Sequence, residues 1–205
     1  MLKIHLILNL IKEVNLSTKG LNNRVLKTLS QSSSKAAIDL IGMRISTNIN
    51  NKFVEILITE TEAYGRKAVD QMSLLNVYKN IPTSLTLGPP FISVLKSYGS
   101  NKGIYILSGK QGSGEAVLVR SGLVLIGKKH IEKRRTIKLR NDKIDGPGNI
   151  TKGLAIDSSF DGENILEGRI NLSPRIHPVE TAIAKQRKNA KKSDKHLWRF
   201  TLILK

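Results

Sequence analysis

Two carboxylates and a phenol at the end of one apolar run are the residues of this chain best placed to do chemistry. The run is Phe53 to Tyr64, FVEILITETEAY, and its polar end carries Glu60, Glu62 and Tyr64. The β-branched first half favours an extended strand. Side chains alternate along a strand, so Ile56, Ile58, Glu60 and Glu62 are expected on one face. Leu57, Thr59, Thr61 and Ala63 are expected on the other. A fixed carboxylate where a buried strand meets a loop can act as a general base and as a counter-charge, with room beside it for a substrate. A strand end that merely reaches solvent fits the same pattern, and the pattern alone leaves both readings open.

Other candidates are weaker or are excluded. The run Glu115 to Arg120, EAVLVR, reads as a second buried strand with Leu118 and Arg120 on one face. Arg120 is then either a strand-end arginine in water or, beside Glu62, half of an ion pair. Gly109 to Gly114, GKQGSG, lacks the residue order of a phosphate loop and reads as a hairpin loop. Asp145-Gly146-Pro147-Gly148 is a glycine-rich turn before a helix start, where unpaired backbone N–H groups favour an anion. The chain has no cysteine, which excludes disulfides, thiolate metal sites and thiol nucleophiles. His5, His130, His177 and His196 show no metal-ligand spacing, so neither a metal nor a cofactor is expected.

These residues need a scaffold, and 205 residues suffice for one core. Residues 1–12, MLKIHLILNLIK, are apolar but too short to span a bilayer, and no secretory cleavage site of the usual form follows. They read as a helix or strand opening the domain, or as an organelle-targeting segment. Leu16 to Ser34 reads as loop with a short helix at Val25–Leu29. Ser34 is placed to cap a helix over Lys35–Ile41, which Gly42 stops. Met43–Thr47 and Phe53–Thr59, joined by NINNK, read as a hairpin. Residues 65–88 show little periodicity, and Ile104–Leu107 reads as a strand after a tight turn at Tyr98–Gly103. Lys128 to Arg140, KKHIEKRRTIKLR, is either a solvated basic helix or one that contacts phosphates. Ala184 to His196 reads as a basic linker, and Thr201 to Lys205 as a closing strand. Lys and Arg total 34 against 16 acids, a formal charge of +18 that calls for an anionic partner. Nucleic acid is the first candidate, although aromatics are only 4% of residues, and an acidic membrane surface is the second.

Ile58 to Tyr64, ITETEAY, resembles the signature of the alkyladenine (3-methyladenine) DNA glycosylases, which typically read IVETEAY. Further matches follow in family order. They are Leu87–Pro90 (LGPP), Tyr98-Gly99, Ala116–Arg120 (AVLVR), Asp145–Asp157 (DGPGNITKGLAID), Ser173–Ile176 (SPRI) and Trp198-Arg199-Phe200. The resemblance runs from about Ala36 to Phe200. It departs at two positions: Ser73 stands where the family has a histidine nine residues beyond Tyr64, and Tyr105 where it has an asparagine seven residues beyond Tyr98.

What the resemblance implies is an α+β domain with a curved antiparallel sheet and peripheral helices. Residues 36–205 would form it, after an N-terminal extension of 1–35. It implies a monofunctional DNA repair glycosylase that flips out an alkylated or deaminated purine, hydrolyses its N-glycosidic bond with a Glu-activated water and leaves an abasic site. Glu62 would activate the water and Arg120 help to hold it, with backbone near Ile176 completing the water site. Tyr64 would stack on the extruded base, Leu118 wall its pocket, and Tyr98 wedge into the duplex. Lys102, Gly148 and Lys152 would contact the DNA backbone, while Tyr78 and Tyr105 are expected to be ordinary core. The implied partner is double-stranded DNA, with no membrane, and the protein a monomer. Its place would be the cytoplasm at the nucleoid, or the nucleus or an organelle of a eukaryote. The loss of the histidine and asparagine leaves another reading, a non-catalytic basic nucleic-acid-binding relative.

Overall fold

One 13-residue strand, β2 (Lys52–Tyr64), carries most of the architecture of this protein, whose computed structural model describes residues 18–97, 101–176 and 182–203. It pairs with β5 (Ala116–Ile126) along one edge. Its other edge is shared: β1 (Arg44–Ile49) takes it up to Leu57, and β9 (Arg199–Leu202) takes it from Glu60 to Glu62. Around this axis the described residues form a nine-stranded sheet with path β3-β4-β5-β2-β1-β7. Here β3 is Ile92–Lys96, β4 Lys102–Leu107 and β7 Ile170–Ser173. The short strand β6 (Lys143–Asp145) pairs with β5, and β8 (Ala182–Lys185) with β9. All pairings are antiparallel, and the sheet curls into a half-barrel.

Five helices lie on it among the described residues: α1 over 18–29, α2 (Ser33–Leu40), α3 (Leu74–Val77), α4 (Lys128–Arg135) and α5 (Pro147–Gly153). The α+β class with a curved antiparallel sheet is therefore the observed one. Ala36, Ala37 and Leu40 of α2, with Val25 and Leu29 of α1, are fully buried against Val54, Ile56 and Ile58 of the sheet. Helix α1 is longer than the short helix expected at Val25–Leu29. Helix α2 starts ahead of Ser34, the expected cap, because the N–H of Ser33 finds a carboxylate elsewhere, Glu115 Oε1 at 3.1 Å. The hairpin turn is as the asparagines suggest. Asn50 and Asn51 both take positive φ, 53° and 56°, in a two-residue loop between the paired Ile49 and Lys52. Of the basic run, Lys128–Arg135 is helical and buries one apolar residue, Ile131.

The expected strict alternation along β2 does not hold. Partners run Ile58↔Gly122, Glu60↔Ser121, Thr61↔Val119, so Thr59 is an extra residue on β2 and Arg120 an extra residue on β5. Each is a bulge, and a bulge turns the following side chains to the opposite face. Ile56 and Ile58 belong to the main core together with Ala63, and Thr61 Oγ1 donates to the Ala37 carbonyl of α2 at 2.8 Å. Glu60 and Glu62 thus lie on the face opposite Ile56 and Ile58, the reverse of what period-two counting gives.

Candidate active site

The paired bulges bring the two glutamates and Arg120 to one side of the sheet. The Arg120 guanidinium forks between them, with Nε donating to Glu60 Oε1 at 3.0 Å and Nη1 to Glu62 Oε2 at 3.1 Å. The side chain of Glu62 is 1% exposed and that of Arg120 7%. Burying a carboxylate is costly unless donors replace water, and Glu62 has them. Tyr64 Oη donates to Oε2 at 3.1 Å, and the backbone N–H of Lys188 donates to Oε1 at 2.8 Å. Burial first, then the negative charge of Glu62, pushes the Tyr64 phenol well above its ordinary value, which keeps it a donor. Glu60 is less enclosed and also accepts from Thr201 Oγ1 at 3.3 Å.

Arg120 opens onto a cleft of about 380 Å³. Its other walls are Asn101, the turn Gly146–Asn149, and Lys188 with Asn189. Proline at the first turn of α5 suits a helix start, and Gly148 is required by close approach, since a Cβ there would lie 2.7 Å from Asn101 Cβ. Lys102 joins this turn through its carbonyl, which accepts from Thr151 Oγ1 of α5 at 3.0 Å. Lys102 and Lys152 are exposed, and Gly148 lines the cleft. Of the expected backbone contacts, Gly148 therefore borders the same opening as Arg120. Among the described residues no group of His, Asp and Glu is arranged to hold a metal ion, and no helix is long and apolar enough to cross a membrane.

Tyr64 and Leu118 lie beside this cleft rather than in its wall. They share a second apolar cluster with Leu74, Leu85, Leu95 and Tyr105. Tyr105 meets Tyr64 edge to face, ring centres 5.7 Å apart. Leu118 stands opposite both Glu62 and Tyr105 in the strand register. Ser73 is buried ahead of α3, and its hydroxyl lacks a hydrogen-bond partner among the described residues. Tyr98 and the apolar segment 1–12 lie outside the described residues.

Two features escaped sequence reasoning. A backbone N–H reaches Glu62 from Lys188, while Ile176, which follows strand β7, is 67% exposed. And the run 184–196 is no linker: β8 and β9 pair across it, and Arg187 within it has a fully buried side chain held by Asp70 and Asp194. Burial alone would lower the Arg187 guanidinium, but its hydrogen bonds and charge contacts to the two aspartates outweigh that and raise it. The only hint in the sequence is a lone acid, Asp194, among lysines.

A model of the methylpurine-DNA glycosylase family matches residues 27–203 of this chain. Among curated proteins, the chain is similar to one from Nitrosospira multiformis, 28% identical over 174 residues, or 84% of this chain and 86% of that one. One from Natranaerobius thermophilus is 28% identical over 136 residues, covering 65% and 69%. One from Carboxydothermus hydrogenoformans is 29% identical over 144 residues, covering 70% and 74%. All three carry the name "Putative 3-methyladenine DNA glycosylase".

Proposed function

This chain belongs to the methylpurine-DNA glycosylase family, and from that premise we propose that it excises alkylated or deaminated purines from double-stranded DNA by direct hydrolysis. The observation that carries the mechanism is the enclosure of Glu62. Its Oε2 takes hydrogen bonds from Arg120 and Tyr64, while Oε1 takes one from Lys188 N–H and keeps acceptor capacity for a water. Cleaving the N-glycosidic bond builds positive charge on the sugar. Glu62 accepts the proton of the attacking water, and with Glu60 it supplies the counter-charge. Arg120 fixes both carboxylates and the water.

The purine leaves the duplex before this step. Tyr98 fills the gap it leaves. Tyr64 stacks on the base and Leu118 bounds it. Lys102, the Gly148 turn and Lys152 hold phosphates. Water rather than an amine attacks, so the product is an abasic site, and the protein acts as a monomer wherever the cell keeps DNA: at the nucleoid, or in a nucleus or organelle.

The test is incubation with duplexes carrying methylated adenine, methylated guanine or hypoxanthine, followed by cleavage at abasic sites. Product from the wild type and none from Glu62→Gln supports the reading. Binding without product from any of these lesions refutes it and leaves a nucleic-acid-binding relative.

A further inference from the structure

Arg187 is a fully buried cation in a protein whose other basic side chains mostly face solvent. Its Nη1 donates to Asp70 Oδ2 at 2.7 Å and to the Ala63 carbonyl at 3.0 Å. Its Nη2 donates to Asp70 Oδ1 at 2.8 Å and to Asp194 Oδ2 at 2.7 Å. Asp70 in turn accepts the N–H groups of Gly65 and Met72, and Asp194 that of His196. One guanidinium thereby ties together the end of β2, the loop after it and the segment between β8 and β9. It also lies 5.3 Å from the centre of the Tyr64 ring. The next residue along the chain is Lys188, whose N–H meets Glu62.

We propose that Arg187, locked between Asp70 and Asp194, is a positioning residue that sets the Lys188 N–H and the Tyr64 ring against Glu62; this rests on the glycosylase reading above. A buried ion pair is a poor source of net stability, because desolvation offsets its attraction. Its planar fork does fix geometry, and no single donor does so as well. The Lys188 amide is carried on an irregular segment, and without a rigid support its distance to the carboxylate would wander. Arg187 touches neither the water nor the sugar in this scheme. Its effect passes through Lys188 and Tyr64.

Two measurements on Arg187→Lys and Asp194→Asn test this. The first is single-turnover excision at saturating lesion DNA, together with the affinity for that DNA. The second is hydrogen exchange at the Lys188 amide, read by NMR, which needs no activity. The expected result is a fall in the excision rate of up to about 100-fold, as for a misplaced reacting group, with DNA affinity changed less than about threefold. Exchange at Lys188 should quicken about tenfold, the worth of one hydrogen bond, while amides of the β1–β2 hairpin keep their protection. Arg187→Met should lose more than Arg187→Lys. The proposal is overturned if Lys188 stays protected in both variants, or if excision falls only in proportion to a smaller folded fraction. A wild type that excises nothing would sink the glycosylase reading, and the exchange experiment would still decide the role of Arg187.

Discussion

Lys188 N–H and Glu62 Oε1 meet at 2.8 Å across 126 residues of chain. This contact places the most basic stretch of the C-terminal third against the most buried carboxylate of the sheet. Glu62 is thus held from three directions: along its own strand by Tyr64, across the sheet by Arg120, and from above by a backbone amide. Only the last is independent of side-chain identity at its own position.

Arg120→Lys should be far from conservative. A lysine brings one ammonium where the guanidinium reaches Glu60 and Glu62 through separate nitrogens. Losing one hydrogen bond to a charged group is worth about 1.5–3 kcal/mol, so single-turnover excision should drop by roughly 10- to 100-fold. Arg120→Ala should fall further, because it leaves the buried Glu62 uncompensated. Equal rates for Arg120→Lys and the wild type would remove Arg120 from the mechanism.

Tyr64 joins two roles that substitution separates. Tyr64→Phe keeps the ring and its edge-to-face contact with Tyr105 but loses the hydrogen bond to Glu62. It should bind lesion DNA nearly as the wild type does and excise more slowly. Tyr64→Leu should also lose the stacking of the extruded base, about 1–3 kcal/mol of lesion-specific affinity. Competition of damaged against undamaged duplex measures that difference. A Tyr64→Leu protein with intact preference for damage would mean the base does not stack there.

Acid should expose the Arg187 cluster. Burial alone would raise the carboxyls of Asp70 and Asp194, yet the Arg187 guanidinium and neighbouring backbone N–H groups hold both below the ordinary 3.8. The unfolded chain therefore takes up these protons first. The stability they contribute is complete above about pH 5 and drains away as pH falls through 3.8 towards the folded values. Urea unfolding between pH 7 and 3 should show this loss, and Asp194→Asn should make the acid side of the curve shallower. Parallel curves for the two proteins would show that Asp194 carries no such linkage.

Features set by neighbours in sequence were readable from the chain. The two-asparagine turn, proline at the start of α5, and the shared face of Leu118 and Arg120 all follow from local preference or period. The pairing of Glu62 with Arg120 came through motif order, not through pattern. Period-two counting failed at Thr59 because a bulge adds one residue without changing residue type, so Val-Ile-Leu-rich strands with and without it read alike. Arg187 was hidden for another reason. A lysine-rich stretch normally marks a solvated surface, and its buried arginine is explained only by Asp70, 117 residues earlier. Lys188 was missed because a backbone N–H leaves no trace in sequence.

Salt separates phosphate contact from lesion recognition. With a formal charge of +18, affinity for duplex DNA should fall steeply with salt, by about 0.9 in the log–log slope per neutralised phosphate. Lys188 lines the cleft, while Lys191 and Lys192 are exposed. Changing all three to alanine removes their charges but leaves the Lys188 backbone N–H on Glu62, so the slope should become shallower without disturbing that contact. Tyr98→Ala should do the opposite, weakening damage-specific binding while the slope stays nearly constant, since no phosphate contact is lost. Binding titrations from about 50 to 200 mM salt, on damaged and undamaged duplexes, distinguish the two. A slope unmoved by the triple substitution would make these lysines solubilising only, and intact damage preference in Tyr98→Ala would withdraw the wedge from Tyr98.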